Sequence, residues 1–179
     1  MPMMDVASEF IERSRHYLAD EYPTKIQRCL TALPPDALWR RDDERSNSIG
    51  NLLLHLEGNI RQWIVGSVGG APDHRHRSAE FAALEGGDAQ SLFAALRATL
   101  DEADAVIAAL SADDLLSHRT IQGRDVSVLD AVFHVVEHCA LHTGQIILLT
   151  KQYAPGRIQF YEDAGGLAIP RWRERSAEL

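Results

Sequence analysis

Apolar positions recur along most of the chain at three- and four-residue spacing, the period of a helix that buries one face. Between Asp5 and Leu33 the stripe runs through Phe10, Ile11, Tyr17, Leu18, Ile26, Cys29 and Leu30. Pro23 interrupts it, and a proline inside a helix removes a backbone bond and crowds the preceding turn, so this segment is predicted to kink or split near Tyr22. A second helix is predicted from Asn47 or Ser48, either of which can cap it, to about Val65. A third, alanine-rich and read as scaffold, covers about Ala89 to Leu110, with Leu92, Phe93, Leu96, Leu100, Ala103, Ile107 and Leu110 at helical spacing. The fourth starts at Ser127, which forms a capping-box pattern with Asp130, and ends at LLTKQYAPG with a basic residue and a proline.

Strand signals are scarce. LLSHRTIQGRDVSV holds a Gln122-Gly123 turn and reads as a short irregular or two-stranded excursion. The polar, arginine-rich connection from Gly69 to Asp88 is too long for a simple turn between packed helices, which makes it a candidate lid or wall over a site. Four helices, two of them joined by this crossover, bury more apolar surface together than any pair does alone. The expected fold is all-α, a four-helix bundle forming one domain over residues 1–179.

Composition agrees with that size of core: 179 residues with 45% hydrophobic content. Lys and Arg number 18 against 26 Asp and Glu, a net charge of −8, which argues against a sequence-independent hold on nucleic acid. The amino terminus lacks the pattern of a secretion signal. The runs NLLL and IILL fall well short of the roughly 18 to 20 apolar residues of a membrane span. A cytoplasmic location with no membrane association is expected, and there the two cysteines, Cys29 and Cys139, read as buried thiols.

The chemistry lies in the histidines. His138 and His142 are four apart on the fourth helix, which puts both on one face with Cβ atoms about 5–6 Å apart. His55, on the second helix, would complete a three-nitrogen metal site with at least one coordination position open, the mark of a catalytic rather than a closed structural centre. His134 competes with His142 as a partner of His138, but the stripe Ala131, Val135, His138, His142, Gln145 and Leu149 favours 138 with 142. Glu137 and Cys139 point about 100° to either side of His138. No H-E-x-x-H, helical Glu-x-x-His, C-x-x-C, Gly-rich phosphate loop or G-x-S-x-G occurs, so zincin, di-iron, zinc-knuckle and serine-hydrolase chemistries lack their motifs.

NSIGNLLLHLEGNIRQWI, the Gly-Gly turn with RHRSAEF, and HVVEHCALHTGQIILLTK together resemble the DinB-like superfamily, most closely its DUF1572-type branch. The likeness spans about Tyr17 to Tyr153, and H-x-x-x-H-[TRV]-G-Q-I is its most specific element. It implies an up-down-down-up bundle, often a homodimer, with a divalent metal on three histidines, which fall here on His55, His138 and His142. Related members use the metal for thiol chemistry, including mycothiol-dependent isomerases and bacillithiol transferases.

A site of this kind could activate a bound water or deprotonate a low-molecular-weight thiol. Zinc is the expected metal, with nickel or iron as alternatives, since imidazole suits all three. Asn51, Asn59 and Gln145 lie one turn from the histidines; they read first as capping or solvent-facing amides and otherwise as groups that orient a ligand. Arg75, Arg77 and Glu80 read first as surface charge, otherwise as a closure that captures an anionic group. Three functions fit a small-molecule substrate or none: thiol transfer to an electrophile, which calls for a basic pocket beside the metal; hydrolysis by metal-activated water, which needs a general base that the sequence does not name; and a non-catalytic, stress-associated metal-binding bundle.

Overall fold

A computed structural model describes residues 5–172. The described chain is mostly helical, 64% helix and 10% strand. Four long helical stretches carry it, and each of them begins at a side-chain cap. Asp5 accepts from Ser8 N, Ser48 from Asn51 N, Asp88 from Ser91 N and Ser127 from Asp130 N, which satisfies amides that a helix leaves without partners.

The first stretch is split where Pro23 falls. α1 (Val6–His16) passes through a π-helical turn at Tyr17–Glu21 into α2 (Tyr22–Ala32), with the proline in the first turn of α2. Pro23 cannot donate to the carbonyl four residues back, and Arg97 Nη1 donates to that Ala19 oxygen instead at 2.6 Å. α3 (Ile49–Ile60) likewise runs into a π-helical segment, Arg61–Val68, three residues beyond the predicted end. Single π turns inside helices are common near functional sites. α5 (Ala89–Ala108) and α7 (Val128–Tyr153) are uninterrupted.

α3 packs against both α5 and α7, and α2 against α7, around one continuous core. Leu52, Leu53, Leu56, Ile60, Leu96, Leu100, Ile107, Val132, Val135 and Ile146 are buried in it. α3 is the most enclosed: His55, Asn51 and Asn59 are 3%, 0% and 3% exposed, so its polar residues must find partners within the protein. Two cysteines lie in the core as well, and burial raises Cys139 to about 12 and Cys29 to about 11. Neither thiol is a ready nucleophile.

Three elements lie outside the long helices' predicted frame. The crossover contains a short helix, α4 (Arg77–Ala82), packed on α3. α6 (Ala112–Leu116) has its own Ser111–Asp114 capping box. After α7 comes a hairpin, β3 (Tyr161–Ala164) with β4 (Leu167–Pro170), which the sequence reading missed although Asp163-Ala-Gly-Gly166 is a turn signal. The expected excursion is a true hairpin, β1 (His118–Ile121) with β2 (Arg124–Ser127), closed by Ile121 opposite Arg124. Its two loop residues have positive φ, 52° at Gln122 and 76° at Gly123, the backbone twist that suits a two-residue hairpin loop.

α7 differs from the sequence expectation in one respect. By length and composition it could cross a membrane, because its apolar positions extend around more of its circumference than the short runs suggested. The packed central helix of a globular core passes the same test, and Val128, Ala131, Val132, Val135, Cys139 and Ile146 are buried here.

Candidate metal centre

His55, His138 and His142 meet between α3 and α7, with one ring nitrogen from each lying within 4.8 Å of the others. Among the described residues this is the one group of three or more His, Cys, Asp or Glu side chains close enough to hold an ion. Ring centroids are 4.9, 5.0 and 4.4 Å apart, and the ring planes cross at 68°, 89° and 83°. The rings therefore meet edge to face rather than in a stack.

The outer nitrogens decide which way the inner ones face. Glu80 Oε2 lies 2.7 Å from His55 Nδ1, and Arg75 grips the same carboxylate with Nε at 2.7 Å and Nη2 at 2.9 Å. A carboxylate held by a guanidinium only accepts at this site, so the proton of neutral His55 belongs on Nδ1 and the Nε2 lone pair faces inward. Gln145 Oε1 does the same for His142 Nδ1 at 2.7 Å. His138 Nε2 is 2.9 Å from His55 Nε2. With the His55 Nε2 lone pair turned inward, neutral His138 meets it by donating its Nε2–H, and a metal ion between the two nitrogens would take the place of that proton. This donor set fits a divalent metal: neutral imidazoles, each of the two whose outer nitrogen is engaged being fixed by an acceptor, as in carboxylate–histidine–metal arrangements.

Electrostatics keep the two α7 histidines neutral. Burial, followed by the neighbouring His142 and His55, pushes His138 down to about 3. Burial also lowers His142, against the Gln145 hydrogen bond. Burial works to raise the Glu80 carboxyl, but the hydrogen bonds from Arg75 and His55 outweigh it and hold the group below its ordinary value.

Glu80 and Arg75 depart most from the sequence expectation. Their side chains are 9% and 5% exposed; they are a buried pair rather than surface charge. α4 carries Glu80 onto α3 at Gly58, where an added Cβ would overlap Glu80 Oε1. Asn51 completes the seam from below: its Oδ1 accepts from Ser48, and its Nδ2 donates to the Glu80 and Ala83 carbonyls, each at 2.8 Å. Asn51 thus holds the crossover rather than a ligand. Asn59 faces His134 Nε2 at 3.4 Å, and Gln145 is the one of the three amides that touches the triad.

His134 stands outside the cluster, between Trp63 and His138, with ring centroids 4.1 and 5.2 Å away. The run His134-Val-Val-Glu-His138 also spells H-x-x-E-H, the inverted zinc-peptidase pattern, which the sequence reading did not consider. Glu137 is exposed, and His138 is grouped with His55 and His142 instead.

A pocket of about 200 Å³ opens over the cluster, lined by His55, Asn59, Trp63, Arg75, Arg77, Gln122, Arg124, His134 and His138. A larger cleft of about 520 Å³ lies on the other side of the Arg75–Glu80 pair, among Leu54, Gly58, Pro72 and Ala79, and does not reach the triad.

A sequence model of the family described as protein of unknown function (DUF1572) matches residues 5–166. No curated protein matches the chain.

Proposed function

The chain belongs to the DUF1572 family, and on that footing we propose that it is a metal-dependent enzyme of the DinB-like superfamily, an up-down-down-up four-helix bundle that transfers a low-molecular-weight thiol to an electrophile. The observation that carries the reading is the pair of outer-nitrogen bonds, Glu80 to His55 and Gln145 to His142, which leaves inward lone pairs on two helices. His55, His138 and His142 would hold the ion, zinc by preference and nickel or iron otherwise. Bound there, a divalent ion would lower the pKa of a thiol at its open position and supply a thiolate at neutral pH.

The chain's own residues position the reaction. Glu80 fixes the His55 tautomer, Arg75 keeps Glu80 ionised, and α4 closes one side of the site. The thiolate sulfur bonds to the electrophilic carbon, the leaving group departs with its electron pair, and the thiol proton passes to solvent. Hydrolysis is the weaker reading, because the one carboxylate beside the triad is turned toward Nδ1 and clamped by Arg75, leaving it poorly placed as a general base. A non-catalytic, stress-associated bundle would not need the pocket that opens beside the histidines. We further place the protein in the cytoplasm as a homodimer acting on a small molecule, away from nucleic acid and membrane, consistent with its net charge of −8.

Metal analysis of tag-free protein tests the centre. Near-stoichiometric metal in wild type and its loss in His55→Ala, His138→Ala and His142→Ala are expected; metal retained by all three variants overturns it. Consumption of glutathione, mycothiol or bacillithiol with a chlorinated aromatic electrophile then tests the transfer, which a metal-replete but inert protein would refute.

A further inference from the structure

The pocket above the histidines has chemistry that the triad does not use. Arg77, from α4, and Arg124, from β2, both line it. Both are exposed, and among the described residues neither guanidinium has a carboxylate partner; Arg77 rests over the Phe81 ring at 4.9 Å. Arg15, Arg61 and Arg75 are each neutralised by a carboxylate, which Arg77 and Arg124 are not. Two that converge on a pocket without one leave a concentrated positive field in it.

Two polar atoms in the same wall are buried without partners. Trp63 Nε1 is a donor and Asn59 Oδ1 an acceptor, in residues 7% and 3% exposed. Both residues line the pocket, and the two atoms themselves are closed off from solvent. The hairpin forms the far wall: Gln122 Nε2 donates to Gln62 Oε1 at 2.8 Å, and Arg75 Nη1 donates to the same oxygen at 3.0 Å. The wall is therefore tied to the group that orients His55.

We propose that this pocket binds the anionic end of the substrate, a small molecule whose carboxylate is taken by Arg77 and Arg124 beside Trp63 and Asn59. This deepens the thiol-transfer reading and rests on it for the identity of the reacting end, since a thiol carrying a carboxylate would reach the histidines from the arginines across a pocket of about 200 Å³. The anion-binding half depends on the arginines and not on the metal.

The test follows the Trp63 indole N–H signal in nitrogen–proton NMR spectra, assigned with Trp63→Phe. Zinc-loaded protein is titrated with 3-mercaptopropionate and with 2-mercaptoethanol; chelator-treated protein is titrated with propionate and with n-propanol. Metal content is measured alongside. The carboxylate probe is expected to bind at least tenfold more tightly than its neutral counterpart in both series. Arg124→Met and Arg77→Met each reduce that preference several-fold, and the double variant abolishes it with zinc content unchanged. Equal binding of charged and neutral probes by wild type, or a preference that survives in the double variant, overturns the proposal. Failure to take up zinc refutes the metal reading alone, because the propionate series still decides the anion site.

Discussion

The two sides of the histidine cluster are built in opposite ways. On α7, His138 and His142 share one helical face, and the group that orients His142 is three residues further along the same helix, exposed Gln145. On α3, the single His55 is more deeply buried, and its orienting group arrives from a different element, Glu80 on α4, 25 residues away in sequence and itself held by Arg75. One side is local and partly exposed; the other is long-range and buried. A hydrogen bond to an exposed amide is easily replaced by water, whereas a buried carboxylate–guanidinium–imidazole network is coupled, and removing one member strands the others.

The largest effect is therefore expected on the α3 side. Glu80→Ala leaves Arg75 as a buried charge without its partner and should cost about 3–5 kcal/mol in urea denaturation. It should also weaken metal binding roughly 10–100-fold, the usual range for loss of such an orienting group. The double variant Arg75→Met with Glu80→Leu separates the two roles: stability should largely return while metal affinity stays low. Gln145→Ala should change neither quantity as much. An equal loss from Gln145→Ala and Glu80→Ala would remove the distinction between the two sides.

The second test uses pH on chelator-treated protein and reads the α7 side. His138 is held neutral in the fold down to about 3, chiefly by burial and then by its neighbouring histidines, while in the unfolded chain it takes up a proton near the ordinary value of about 6.5. The unfolded state thus binds more protons between those values, and stability rises with pH there. The contribution is complete above about pH 6.5 and declines as the pH falls toward 3, with His142 and His134, both lowered by burial, acting in the same direction. Glu80, held below its ordinary value, adds to the loss only in the acid range. Urea midpoints that stay flat from pH 7 to pH 4.5 would contradict the neutral state of the α7 histidines.

The contrast also marks what the sequence could reveal. Helical periodicity and i, i+4 spacing are local, so the long helices, the break at Pro23 and the convergence of His138 and His142 were readable. The choice of His142 over His134 rested on the helical stripe from Ala131 through His138 and His142 to Gln145; His142 lies with His138 and His55, and His134 stands beside His138 outside the group. Glu80 was not readable as an orienting group. Its neighbours in sequence are arginines and small residues typical of a solvated loop, and its burial depends on Asn51 drawing the crossover down onto α3. Asn51 read first as a capping amide, and its Oδ1 does complete the α3 cap at Ser48; what the sequence did not reveal is that its Nδ2 also holds the crossover carbonyls. The final hairpin was missed because all eight of its strand residues are exposed, so it carries no buried alternation.

Glycine supplies the smallest and sharpest comparison. Gly58 lies beneath the Arg75–Glu80 pair, where an added Cβ would overlap Glu80 Oε1 and approach Arg75 Nε to 3.1 Å. Gly144, between His142 and Gln145 on exposed helix surface, has nothing within 4 Å of an added Cβ. Gly58→Ala should then cost about 1–3 kcal/mol through overpacking, and it should weaken metal binding as well, because Glu80 is pushed from His55. Gly144→Ala should raise stability by about 0.5–1 kcal/mol, since alanine is the better helix former and no neighbour has to move, and it should leave metal content unchanged. Opposite signs from the same substitution on the two helices would show that the α3 side depends on close packing against the crossover and the α7 side does not. A stabilising Gly58→Ala would mean that Glu80 can sit elsewhere without loss, and the case for it as the group that orients His55 would fail.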